Sequence, residues 1–227
     1  MTTTNYDMIG RDDINDLEAI LSISNSDVDA LVHTVKAESD ALFTWDYSRS
    51  RPALIKLYEK AKTSQWNAET DLDWSIEVDQ AAVAMANAAQ SGVDVFGENV
   101  ELKGTVFSTW TEDQWIQLGI EMQNWSLSQF MHGEQGALIC TAQIVETVPW
   151  IDAKYYAATQ VMDEARHVEV FARYLDEKLG HQHRINDNLK AILDDILTDT
   201  RWDIVYLGMQ IMVEGLALGA FGTLYKQ

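Results

Sequence analysis

Only two prolines, Pro52 and Pro149, interrupt this chain of 227 residues. Proline removes a main-chain donor and clashes with the turn before it, so a chain so poor in proline is free to form long helices. The pattern between the prolines uses that freedom. Thr111-Glu112-Asp113-Gln114 is a capping-box sequence, with a hydroxyl at the cap and an amide three residues on. It predicts a helix running to about Thr147, on the order of 50 Å long at 1.5 Å per residue. Pro149 marks the break, and a second long helix is expected from about Ile151 to Leu179, ending at Gly180. A shorter amphipathic helix is expected over 185–200, and a last one from Trp202 to the end of the sequence. Before them, a short helix is expected around Asp12 to Ser22. Ser26 caps a predicted helix to about Phe43 with an apolar stripe of Val28, Leu31, Val32 and Val35. Pro52 opens a helix to about Ser64, 65–79 reads as irregular, an alanine-rich helix covers 80–90, and 91–104 reads as a loop. The expected fold is all-α, with an N-terminal helical extension (1–105) packed on a helical bundle (106–227) as one structural unit.

Charge narrows the partners. With 36 acidic against 16 basic side chains the formal charge is −20, which leaves no basic footprint for nucleic acid or an anionic membrane. Cys140 is the single cysteine, so no internal disulfide is possible. The start of the sequence has no basic end followed by an apolar run, so no signal peptide is read, and the expected location is cytoplasmic. The longest apolar stretch, Ile204 to Tyr225, has the length of a membrane span but carries Gln210 and Glu214. A carboxylate at a bilayer centre costs about 2.5–3.5 kcal/mol, so this stretch is expected to be a buried helix holding a carboxylate, with no membrane span.

Three carboxylates stand on apolar helical faces. Glu164 and His167 lie i, i+3 within Asp163-Glu164-Ala165-Arg166-His167, among Ala157, Gln160, Val161, Val168 and Phe171. That spacing offers an oxygen and an imidazole nitrogen to one metal ion. Glu134 has Phe130, Met131, Ala137 and Leu138 as helical neighbours, and Glu214 has Gln210, Ile211, Ala217 and Leu218. Glu134 lies 15 residues before Pro149 and Glu164 lies 15 after it. In an antiparallel hairpin the two carboxylates stand at one level, facing each other. Glu169, by contrast, reads as solvated and ion-paired. Thr141, two turns from Glu134, either offers its hydroxyl to a ligand bound at the carboxylates or back-bonds to its own helix. Phe130, Met131, Leu138, Val161, Phe171, Ile211 and Leu218 are candidate pocket residues, each of which also reads as ordinary core. The tryptophans, Trp66, Trp74, Trp110, Trp115, Trp125, Trp150 and Trp202 among them, read first as staples of helix ends and second as electron relays. Gly215 and Gly219, at i, i+4, are expected to permit close helix approach or to make room beside Glu214.

The order Glu … Glu-x-x-His … Glu on successive long helices resembles the ferritin-like di-metal carboxylate proteins. The DEARH form of the motif resembles their oxygen-activating branch, which includes multicomponent hydroxylases, arylamine oxygenases and the small subunit of ribonucleotide reductase. The resemblance spans about residues 106–227. It implies Glu134 as the terminal carboxylate of one metal, Glu164 as a bridging carboxylate, His167 as the nitrogen ligand and Glu214 as the carboxylate of the third helix. Asp163 would orient the ligand histidine, and Arg166 would be a buried ion-pair partner. The cofactor implied is two iron ions, with manganese an option at one site. The implied reaction is activation of dioxygen to hydroxylate or N-oxygenate a small organic or fatty substrate, with an electron-donor protein and a homodimer or partner subunit.

The sequence departs from that family in one respect. A second Glu-x-x-His is expected about 30 residues after Glu214, and Gln227 lies only 13 beyond it. The fourth core helix is thus expected to be missing from the bundle, through truncation, completion by another subunit or degeneration of the site. His33, His132, His181 and His183 do not sit in a matching context. Two alternatives stand beside the oxygenase. One is a ferritin-like redox, radical-generating or iron-handling subunit, although the long N-terminal extension argues against simple storage. The other is a non-catalytic acidic helical protein that binds a basic partner and keeps its inward Glu residues neutralised or protonated.

Overall fold

The computed structural model describes residues 33–91 and 105–224. The chain divides into 1–36 and 37–227, and every helix described here belongs to the second unit. Among the described residues the protein is all-helical, with no strand. Helices α1 (Pro52–Thr63) and α2 (Gln80–Ser91) precede a long hairpin of α3 (Glu112–Thr147) and α4 (Ile151–Tyr174). The end of α4 continues through a widened π turn, Leu175–Leu179. Helix α5 is Asp187–Thr198. Helix α6 is one rod with a π segment at its centre, Trp202–Tyr206, Leu207–Val213 and Glu214–Leu224.

Local chemistry explains the boundaries. The Thr111 hydroxyl accepts from Gln114 N–H while the Gln114 side chain accepts from Thr111 N–H, which closes the capping box at the start of α3. Gly180 ends α4 with φ +68°, a left-handed conformation that glycine adopts without strain. The α3–α4 hairpin is the backbone of the unit. Helix α1 packs on α4, while α2 and α5 pack on α3. Gly136 lets α5 come close, because a Cβ there would lie 2.5 Å from a Leu193 methyl. The core between these helices is built on Cys140, Val148, Leu175, Val205 and Met209, each 0–1 % exposed.

Two tryptophan groups close helix ends, as expected of staples. Trp150 meets Trp202 edge-on at 5.3 Å, and Trp110 and Trp115 cluster with Phe107 beside the α3 cap.

Other expectations are corrected. The helix predicted over 26–43 is not helical over 33–43. Long-range bonds hold the chain there instead. Leu42 N–H donates to the Glu146 carbonyl (2.8 Å). Further along, Asp152 Oδ2 accepts from Ser50 N–H and Arg51 N–H, with Arg49 on Oδ1. Ser26, Val28, Leu31 and Val32, the helix expected at 12–22 and most of the 91–104 loop lie outside the described residues. Helix α6 is not buried all round. Leu207, Ile211, Met212, Leu216 and Leu218 are 46–76 % exposed, although Trp202–Gly222 is long and apolar enough to cross a membrane. Gly215 and Gly219 face open space, since a Cβ on either meets nothing within 4 Å.

Two smaller predictions arise here. Gly215→Ala is expected to stabilise the fold by about 0.5–1 kcal/mol through helix propensity alone, read as a higher urea midpoint. Burial pushes the Cys140 thiol up to about 12. Because the thiolate is the reactive form, iodoacetamide at about pH 8 should modify Cys140 only after denaturation, as read by mass spectrometry.

Candidate metal centre

The Pro149 hairpin sets Glu134 of α3 against Glu164 and His167 of α4. His167 Nδ1–H donates to Glu134 Oε2 and to Glu164 Oε2, 3.1 Å each. One ligand atom from each of the three residues lies within 4.8 Å of the others. Glu134 is 8 % and Glu164 4 % exposed. The His167 side chain is 42 % exposed, so the centre opens on that side. Trp66 stacks over the open imidazole with ring centres 6.4 Å apart.

Electrostatics follow from two buried acids sharing one base. Hydrogen bonds to Glu134 and Glu164 lift the His167 imidazole to about 10, overcoming burial. Burial pushes the Glu134 carboxyl up against the opposing pull of His167. Burial also acts upward on Glu164, but bonds from His167, Glu134 and Gln160 outweigh it and hold this carboxyl down. Without another cation, an imidazolium proton holds the two carboxylates together. Two oxygens and a nitrogen aimed at one point are a hard-to-borderline set that a single divalent iron or manganese ion fits.

Glu214 comes from α6 and is not among the atoms in that 4.8 Å span. It nevertheless senses the centre. Burial first, and then the charges of Glu164 and Glu134, push its carboxyl up to about 7. The trio thus suits one ion, and a second ion there would draw on Glu214 and on donors beyond the trio.

Asp163 does not orient His167. Its carboxylate pairs with Arg166, one turn along α4. Arg166 is 4 % exposed and also donates to Gln65 Oε1 and the Trp66 carbonyl, 2.8 Å each. The pair therefore anchors the segment that carries Trp66, and acts on His167 through that ring. Glu169 is exposed.

The residues around the centre divide by direction along the hairpin. Toward Pro149 runs an amide relay. Gln160 Nε2–H donates to Glu164 Oε1 (3.1 Å) and to Gln210 Oε1, and Gln210 Nε2–H donates to the Thr141 hydroxyl (2.9 Å). Thr141, fully buried, thus accepts from α6 through its Oγ1. Gln210 sits in the π segment of α6, one turn before Glu214, and π turns recur where a helix must re-aim a functional side chain. Away from Pro149 stand three phenyl rings. Phe130 lies 6.1 Å from Phe171 and 4.7 Å from Phe221. Of the candidate pocket residues, Phe130 and Phe171 join this wall, Met131, Leu138 and Val161 are half-buried, and Ile211 and Leu218 face outward.

The amide relay and Phe221 were not foreseen from sequence. The available signal was Gln160 and Gln210, two amides on otherwise apolar faces at the level of the acids. His132 turns away from Glu134, its Nε2–H donating to the His183 carbonyl (2.9 Å). No family model, curated protein or solved structure matches the chain.

Proposed function

We propose that this chain is a ferritin-like di-metal carboxylate protein of the oxygen-activating kind, a non-haem iron oxidoreductase that hydroxylates or N-oxygenates a small organic or fatty substrate. The observation that carries the reading is the convergence of the buried Glu134 and Glu164 with the half-buried His167 from opposed helices, with Glu214 presented by a third helix. Glu134, Glu164 and His167 would hold one iron ion, with His167 supplying nitrogen, and Glu164 and Glu214 would serve a second iron or manganese ion. Bound iron supplies the reduction of dioxygen and the oxidising equivalent passed to substrate.

The chain's own residues do the rest. On metal binding His167 would release its Nδ1 proton to solvent, freeing that nitrogen to serve as a ligand. Gln160, itself held by Gln210 and Thr141, fixes the second oxygen of Glu164 so that the first stays aimed at the metal. Phe130, Phe171 and Phe221 put a hydrocarbon wall on the other side, which suits an apolar substrate better than water. Trp66, stacked on the half-exposed His167, offers an electron-donor protein a route to the centre. The exposed apolar row of α6 supports a covering helix from a second copy or a partner subunit.

The test is an anaerobic Fe(II) titration of the full chain at about pH 7, followed by admission of air. Tight iron binding and dioxygen consumption in proportion to bound iron are expected. A chain that binds no Fe(II) ends the reading. A chain that binds iron without consuming dioxygen favours the iron-handling alternative.

A further inference from the structure

A second group of ligand-type side chains lies far along α3 from Glu134. Glu121 is 13 residues earlier on the same helix, on the order of 20 Å along its axis. Beside it stand His181 and His183, on the non-helical stretch that follows Gly180. His183 Nε2–H donates to Glu121 Oε2 (3.0 Å), and His181 Nε2 is 3.9 Å from the same oxygen. The two imidazoles meet edge-on with centres 4.5 Å apart. One ligand atom from each of the three lies within 4.8 Å of the others.

The surroundings hold these groups in place. His183 N–H donates to the buried Ser128 hydroxyl (3.0 Å), and its carbonyl accepts from His132 Nε2–H. Next along the stretch, Gln129 donates to the Arg184 carbonyl and accepts from Asn186 N–H and Nδ2–H. The main chain carrying both imidazoles is thereby pinned to α3. The other Glu121 oxygen accepts from Gln117 Nε2–H (3.2 Å), which orients the carboxylate as outer partners orient metal ligands. An exposed Glu–His pair by itself contributes little to stability in water, so the ion pair does not account for two imidazoles and a carboxylate sharing one point.

We propose that Glu121, His181 and His183 form a second metal site, for Zn²⁺ or a similar borderline divalent ion. Two imidazoles and one carboxylate are a ligand set that zinc favours over magnesium or calcium, which prefer all-oxygen shells. Zinc–ligand bonds of about 2.0–2.2 Å require only a small contraction of the observed cluster. The side chains of Glu121, His181 and His183 are 43, 52 and 28 % exposed, so solvent reaches the fourth position and the ion can exchange. Its effect is to tie the 181–186 stretch to α3. The inference does not rest on the iron reading, because it shares no ligand with Glu134, Glu164 and His167.

The test is Zn²⁺ binding by the full chain, measured by isothermal titration with metal content confirmed after dialysis. The chain, His181→Ala/His183→Ala and Glu164→Ala/His167→Ala are compared. The first double variant should lose one zinc equivalent, or weaken it at least about tenfold, and lose the rise in thermal midpoint that this equivalent produces. The second double variant should keep that equivalent. Glu121→Gln should weaken the same equivalent while leaving the circular dichroism spectrum unchanged. Equal zinc stoichiometry and affinity in the chain and in His181→Ala/His183→Ala would overturn the site, as would loss of all zinc in Glu164→Ala/His167→Ala with its helical spectrum intact.

Discussion

Replacing Glu164 by alanine is expected to weaken Fe(II) binding at the hairpin by at least about a hundredfold, more than loss of an outer partner costs a metal site. Glu164 is singled out because it serves every other group there. Its Oε2 shares the His167 proton with Glu134, and its Oε1 takes the amide of Gln160. Without it, His167 and Glu134 remain as a single ion pair, and two donors do not hold a labile divalent ion. The same substitution should leave the metal-free fold intact, because two nearby buried acids repel each other and each one gives up hydration. Glu164→Gln separates charge from shape. It keeps the Gln160 bond while losing the negative charge, so it should lose metal almost as fully as alanine does. Equilibrium dialysis against Fe(II), with circular dichroism as the control for folding, reads both. Iron binding by Glu164→Ala within threefold of the unchanged chain would show that the hairpin carboxylates do not form the site.

The hairpin itself was legible because its signals are local and strong. A capping box at Thr111, a proline at 149 and a glycine at 180 each act within one turn, and the structure places helix ends at all three. The level of Glu134 and Glu164 followed from counting residues to the turn. What was not legible depends on contacts between elements. Val35 carries a helical stripe, yet Leu42 bonds to Glu146 and the two main-chain donors at 50–51 bond to Asp152, so pairing to the hairpin wins over weak local propensity. The π segment of α6 has no sequence mark, because widening a turn by one residue is decided by what its side chains reach, here Gln160 and Thr141. His181 and His183 sit in no matching context along the sequence, and it is the turn at Gly180 that brings them to Glu121 on α3.

The second large effect concerns pH and comes from Glu214. Its carboxyl stands near 7 in the folded chain against an ordinary 4.5. A carboxyl raised by folding favours the folded state while it is protonated. That contribution is complete below about pH 4.5 and is lost as pH rises through 7, after which the folded chain carries the full cost of the charge. The shift corresponds to about 3 kcal/mol at most, and partial exposure of Glu214 reduces this by screening to about 1–2 kcal/mol. Glu214→Gln removes the titration and leaves the rest of the chain's acids in place, so their shared background cancels in the comparison. Without metal, the variant should match the unchanged chain at about pH 4.5 and exceed it by about 1–2 kcal/mol at pH 8 in urea unfolding. With saturating Mn(II) at pH 8 the order should reverse, because a bound cation makes the charged carboxylate the favoured form and glutamine offers it less. A difference that does not change with pH would mean that neither burial nor the charges of Glu164 and Glu134 raise the Glu214 carboxyl. A Mn(II) response equal in both chains would remove Glu214 from the ligand set at the hairpin centre.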